Sequence, residues 1–175
     1  MSRFPGVVTA TVSSIDDPAG EGRIEVRFPW MPGSPKSAWA PVASLLAGPS
    51  RGAFFSPEVD DEVLIAFEHG DFNFPYVIGY LWNGVDTPPE SNRQNRVFVT
   101  PGGHKLRFED GDPKKVVIGS AGGHEIVLND DATSNKIQIS SSAGQTVTID
   151  DVQQSVEIQG GGRILALKGG QVLIT

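Results

Sequence analysis

Apolar and polar positions alternate with period two along roughly the last two fifths of this chain, and the alternation returns in units of about twenty residues. Gly103-His104-Lys105-Leu106-Arg107-Phe108 comes back as Gly123-His124-Glu125-Ile126-Val127-Leu128 and as Gly144-Gln145-Thr146-Val147-Thr148-Ile149. A weaker copy follows as Gly162-Arg163-Ile164-Leu165-Ala166-Leu167. Each copy runs through an Asp- or Gly-rich break into a second strand: Val116-Val117-Ile118, Lys136 to Ile139, Ser155 to Ile158 and Gln171 to Ile174. Side chains of a strand point alternately to its two faces. Leu106, Phe108, Val116, Ile118, Ile126, Leu128, Ile137, Ile139, Val147, Ile149, Val156, Ile158, Leu165, Leu167, Val172 and Ile174 therefore share one face of an eight-stranded ribbon. Lys105, Arg107, Glu109, Glu125, Thr146, Thr148 and Asp150 share the other.

A second set of strands precedes the repeats, at Val7–Val12, Arg23–Phe28, Ala38–Val42, Glu62–Phe67 and Tyr76–Leu81, each bounded by Gly, Pro or Asp. Five short strands so spaced predict a small antiparallel barrel of the OB type. Helix signals are nearly absent; only Ala43 to Ala47 suggest a brief helical turn. The expected domains are a barrel over 1–84, a polar linker over 85–96 and the repeat region over 97–175.

The barrel needs its own apolar residues, so the sixteen side chains of the ribbon lack a cover within the chain. Either the ribbon folds back as a conventional sheet, or identical ribbons meet around a common axis. Burying a Val, Leu or Ile side chain is worth ~1.5–3 kcal/mol, which favours the second arrangement. Three ribbons close a triangular prism and remove exposed strand edges. The links between strands shorten toward the C-terminus, from Glu109–Lys115 to Lys168–Gln171, so the prism is expected to taper.

Composition narrows the chemistry. The chain has 175 residues and a formal net charge of −7, which argues against binding nucleic acid by phosphate neutralisation. It has no cysteine, excluding disulfides and thiolate metal sites. No secretory signal opens it, and it has no apolar run of membrane-spanning length. Glu58, Asp60, Asp61, Glu62 and Asp71 fall at strand ends and read as turn formers rather than an acid/base pair. With only His69, His104 and His124, no Ser/His/Asp constellation is readable, and no catalytic residue or cofactor is expected. His104 and His124 occupy one repeat position and are the weak candidates for a metal ring on a threefold axis. Their place directly after a Gly-Gly turn favours corner residues that cap a strand. Trp30, Trp39, Phe54, Phe55, Phe72 and Phe74 form an aromatic set with few basic neighbours, read as core and subunit contacts rather than a base-stacking surface.

The barrel region also carries a series of motifs in order: Gly22-Arg23-Ile24-Glu25-Val26-Arg27-Phe28-Pro29-Trp30, then Ser37-Ala38-Trp39-Ala40-Pro41-Val42, and Ala47-Gly48-Pro49-Ser50-Arg51-Gly52. Pro57 to Phe67 and His69 to Gly84 complete the series. Over residues 5–84 this resembles the OB domain of contractile-tail spike proteins, namely VgrG proteins of type VI secretion and the protein V type baseplate spikes of contractile phages. The resemblance implies a homotrimer in which the barrel is followed by an intertwined trimeric β-helix, a needle-like β-prism. It implies a membrane-puncturing spike that works mechanically, within an assembled phage tail or injection particle, and is not an enzyme.

Where the family has Gly before Asp-Glu-Val, this chain has Asp60, which tolerates turn conformations. The chain begins at the barrel, so a separate hub protein is the expected partner at that end. The His-x-His iron motif that closes some spikes is absent, and Val172, Leu173, Ile174 and Thr175 are the expected docking site for a separate PAAR-like tip protein. The alternative reading is a carbohydrate- or oligonucleotide-binding OB module with an oligomerising β tail.

Overall fold

The structure is a computed structural model that describes residues 3–175, and it divides into two compact units, one ending at Thr87 and the other spanning Pro88–Thr175. Among the described residues every regular element is a strand except one 3-10 turn at Glu68–Gly70. The helical turn expected at Ala43 to Ala47 does not form.

In the first unit, β1 (Val7–Ser14), β2 (Glu25–Arg27), β5 (Glu62–Phe67) and β6 (Pro75–Tyr80) make an antiparallel sheet in the order β2-β1-β5-β6. Between β2 and β5 lies a short hairpin of β3 (Ala47–Gly48) and β4 (Arg51–Gly52). Alternation sets which side chains enter the core: in β5, Val63, Ile65 and Phe67 are buried while Glu62, Leu64 and Ala66 are not. The strand expected over Ala38–Val42 appears as isolated bridges, Arg27 with Lys36 and Ile24 with Ala40 on one side and Val42 with Val77 on the other. Pro35 and Pro41 have no N–H to donate, which keeps this segment from a continuous ladder. It still closes the sheet, because the Val77 N–H donates to Pro41 O at 2.9 Å and the Ala43 N–H to Val77 O at 2.8 Å.

The closed sheet encloses Val12, Val26, Phe28, Val63, Ile65 and Val77, all fully buried. Phe4, Phe28, Phe67 and Phe72 stack against one another with ring centroids 5.1–5.9 Å apart. Trp30 packs edge-on against Phe28, and its indole N–H donates to Thr9 O at 2.8 Å. The loop between β1 and β2 is organised by Asp17. Its carboxylate, 3% exposed, accepts the backbone N–H groups of Ala19, Glu21 and Arg23 and pairs with the Arg23 guanidinium at 2.8 Å. The Arg23 hydrogen bond, helped by the backbone donors, holds the Asp17 carboxyl far below the usual carboxylate range.

The second unit is one nine-stranded antiparallel sheet in which every strand pairs with its neighbours in sequence. The strands are β7 (Asn95–Val99), β8 (Lys105–Glu109), β9 (Lys115–Gly119), β10 (Glu125–Asn129), β11 (Lys136–Ser140), β12 (Thr146–Asp150), β13 (Ser155–Gly160), β14 (Arg163–Lys168) and β15 (Gln171–Ile174). Strand β7 adds one to the eight expected. At ~4.8 Å per strand the sheet is about 40 Å deep. The shortening toward the C-terminus is confined to the loops, since β7–β12 keep five residues each, β13 and β14 have six, and only β15 falls to four.

One edge of the ribbon is built from a repeated tight turn. Thr100, Ser120 and Ser141 each accept a backbone N–H from the residue three positions on, at 2.8–3.0 Å, and each side-chain oxygen accepts the N–H of the residue after that. The closing residues Gly103, Gly123 and Gly144 have φ of 82°, 86° and 88°, a left-handed conformation that glycine adopts without a Cβ clash. The opposite edge carries the acidic loops 110–114, 130–135 and 151–154.

Candidate functional site

The cross-strand register sorts the sixteen repeat side chains, together with β7, into two columns on one face of the ribbon. The first runs Phe98, Leu106, Ile118, Ile126, Ile139, Val147, Ile158, Leu165 and Ile174. The second runs Arg96, Phe108, Val116, Leu128, Ile137, Ile149, Val156, Leu167 and Val172. None of the sixteen is buried. Leu106, Val116, Ile126, Val147 and Val156 are half-buried by their neighbours in the sheet, and the others are more exposed, reaching 64% at Val172 and 75% at Ile174. Arg96 is the one charge in the two columns, and it pairs with Asp110 at 2.6 Å. Isolated apolar side chains are ordinary on a protein surface, but two unbroken columns of them mark an interaction surface.

The reverse face is dressed to meet water. Arg107 pairs with Glu109 at 3.2 Å and with Glu90 at 3.5 Å. Glu90 also accepts the Asn92 N–H and the Asn95 amide, bonds that draw its carboxyl below the ordinary value. Lys105 reaches over Gly119 to Glu125 at 4.0 Å, and a Cβ on Gly119 would lie 2.7 Å from the Lys105 Cε. The reverse face also carries apolar side chains: Val117 and Ala166 are buried among their neighbours, and Leu173 is 46% exposed.

His104 and His124 stand at equivalent corners of the turn edge, each engaged within the chain. The Ala121 N–H donates to His104 Nδ1 and the Ser142 N–H to His124 Nδ1, both at 3.3 Å. Each ring thus ties one turn to the next, and in this tautomer its Nε2 carries the proton. Among the described residues no group of three His, Asp or Glu side chains within one chain is arranged to hold a metal ion.

The barrel carboxylates have local partners too. Asp60 pairs with Arg27 at 2.6 Å, Asp61 accepts the Glu58 N–H, Glu62 accepts the Asn83 amide, and Asp71 accepts the Asn73 N–H. The aromatic set separates: Phe72 joins the core, Trp30 and Trp39 are partly covered, and Phe54, Phe55 and Phe74 are 80%, 64% and 57% exposed. The β3–β4 hairpin adds Leu45 at 95% and Leu46 at 55% beside Phe54 and Phe55. Sequence pattern gave no sign of this exposed arm, because an apolar run reads as core when its covering is unknown.

The first unit is a small closed barrel of the OB type, and the second is a repeat ribbon with one uncovered apolar face. Comparison with known proteins agrees. Residues 8–82 match the family of the type VI secretion system/phage-baseplate injector OB domain. The chain is 34% identical over 126 residues to the type VI secretion system spike protein VgrG5 of Pseudomonas aeruginosa, covering 61% of this chain and 16% of that protein. It is 28% identical over 144 residues to spike protein VgrG3 of Vibrio cholerae, covering 71% of this chain and 13% of that one. The actin cross-linking toxin VgrG1 of Vibrio cholerae matches at 26% over 125 residues, 61% of this chain and 11% of the toxin. These shares of the chain exceed what the first unit alone supplies, so the similarity extends into the ribbon. Residues 8–82 thus carry the injector OB domain, the chain is similar to VgrG-type spike proteins beyond it, and it spans a small fraction of the length of the curated relatives it matches.

Proposed function

We propose that this protein is the central, membrane-puncturing spike of a contractile injection machine, of the type VI or phage-tail kind, acting as a homotrimer within an assembled particle. The observation that carries this reading is the pair of apolar columns left uncovered along the nine strands of the ribbon. A monomer would leave them in water, whereas three ribbons turned inward cover one another as a trimeric β-helix or prism. The ion-paired reverse face then becomes the outside of the needle.

The role is mechanical: a narrow prism concentrates the force of contraction on a small area of membrane, and its buried column resists unfolding under that force. No catalytic residue or cofactor enters the proposal. The barrel is the unit proposed to join a hub protein, and its exposed hairpin at Leu45, Leu46, Phe54 and Phe55 supports an interface there. The exposed strand β15, with Val172, Leu173, Ile174 and Thr175, is the proposed seat of a PAAR-like tip.

Light scattering on the purified protein tests the assembly. The expected mass is three times 18.6 kDa, held in SDS without boiling. A monomer or dimer at micromolar concentration would sink the spike reading and favour a ligand-binding OB module.

A further inference from the structure

Three of the four strands that leave the glycine-turn edge, β8, β10 and β12, share a row that extends beyond their apolar residues at both ends. On the side of the apolar columns these rows read His104, Leu106, Phe108, Asp110; then His124, Ile126, Leu128, Asp130; then Gln145, Val147, Ile149, Asp151. Each begins with a nitrogen donor at one edge of the ribbon and ends with a carboxylate at the other. The contacts made inside the chain use only the acceptor atom of each leading side chain. His104 Nδ1 and His124 Nδ1 accept backbone N–H groups, and Gln145 Oε1 accepts the Ser141 hydroxyl. That leaves an N–H on Nε2 of all three with no partner among the described residues. Asp130 and Asp151 likewise have side chains with no ion-pair or hydrogen-bond partner among the described residues, while Asp110 is shared with Arg96.

Threefold closure makes these two edges meet. In a cyclic trimer one surface of each subunit contacts a different surface of the next. Three ribbons standing around an axis therefore bring the glycine-turn edge of one against the acidic edge of its neighbour. With no axial step between ribbons, the residue before a strand abuts the residue after the same strand of the next chain. Resting on the trimeric reading above, we infer that the corners of the prism are head-to-tail joints in which His104, His124 and Gln145 of one chain donate from Nε2 to Asp110, Asp130 and Asp151 of the next.

The rows of opposite direction fit the same register. Ser120 and Ser141 at the turn edge fall against Lys114 and Asn135 at the acidic edge, so no like charges meet. Both members of each joint lie on the side of the apolar columns, at the margin of a surface closed from water. A carboxylate placed there needs a donor, since leaving it unpaired costs more than an ordinary hydrogen bond contributes.

A double-mutant cycle on the intact protein tests the joint at His124 and Asp130. The two residues bracket β10 and stand ~20 Å apart within one chain, too far to couple directly. The readout is the rate of trimer dissociation in SDS at fixed temperature for wild type, Asp130→Ala, His124→Ala and the double variant. Loss of a charge-assisted hydrogen bond at each of three corners predicts roughly fivefold or faster dissociation for Asp130→Ala. The double variant should dissociate no faster than His124→Ala alone. Asp130→Asn, which keeps the shape of the side chain, repeats the test should the alanine variant fail to assemble. Wild-type rates for Asp130→Ala, or single effects that multiply in the double variant, would overturn the joint while leaving the trimer standing. A wild-type protein that is monomeric by light scattering would instead remove the reading on which the joint rests.

Discussion

Ile139 sits at the middle of the first apolar column, flanked by Ile126 and Val147 across its two ladders, and is 48% exposed in a single chain. Its adjacent residue Gln138 faces the other way, between Val127 and Thr148. Ile139→Ala and Gln138→Ala therefore remove side chains from opposite faces of one strand. Complete burial of an isoleucine is worth ~1.5–3 kcal/mol, and about half of the Ile139 surface is already covered by its own sheet. The share that depends on association is then about 1 kcal/mol per chain, or about 3 kcal/mol per trimer, before any cavity adds to it. That corresponds to a trimer held together roughly a hundredfold less well for Ile139→Ala, with Gln138→Ala close to wild type. The assay is trimer dissociation in SDS, read at matched chain concentration and paired with thermal unfolding. Equal effects from the two substitutions, or none from Ile139→Ala, would refute the assignment of the inner face.

Two further outcomes concern the barrel. Asp17→Asn should destabilise it at neutral pH and remove a pH dependence that wild type shows. A carboxyl with a depressed folded pKa contributes in full above the ordinary carboxylate range, and that contribution fades as pH falls toward the folded value. Urea unfolding from pH 7 to pH 2 should show the two proteins converging in acid, and a gap constant with pH would count against the role given to Arg23. Asp60 has φ of 78°, so Asp60→Gly relieves a strained backbone while losing the exposed Arg27 pair. The two effects are each about 1 kcal/mol or less and should leave the melting temperature nearly unchanged, whereas Asp60→Val should lower it by several degrees.

How far the sequence carried depends on which force placed each residue. The alternation of β5, β8, β10 and β12 was legible because one face of each strand is uniformly apolar. Strand β7 was hidden because Arg96 occupies a position that is aliphatic in the later repeats, and only the Asp110 pair shows why it is tolerated. The strand at Ala38–Val42 was legible as a hydrophobic run but not as a set of single bridges, which follow from where Pro35 and Pro41 lack donors. His104 and His124 were visible as a repeated position, and their bonds were not. The donor to each is a backbone N–H of the following turn, brought close only when one hairpin stacks on the next. The exposed arm at Leu45 and Phe54 had no signature, since burial by a partner and burial by the chain leave the same composition.

The ribbon pairs each strand only with its neighbours in sequence. Its length is consequently a counted quantity, because one repeat of about twenty residues contributes two strands and ~10 Å of depth. A whole repeat can be inserted or removed between two glycine turns without changing the register of any strand that remains. Ribbon length is thus separable from the barrel, and it can change in steps of one repeat while every strand already present keeps its partners.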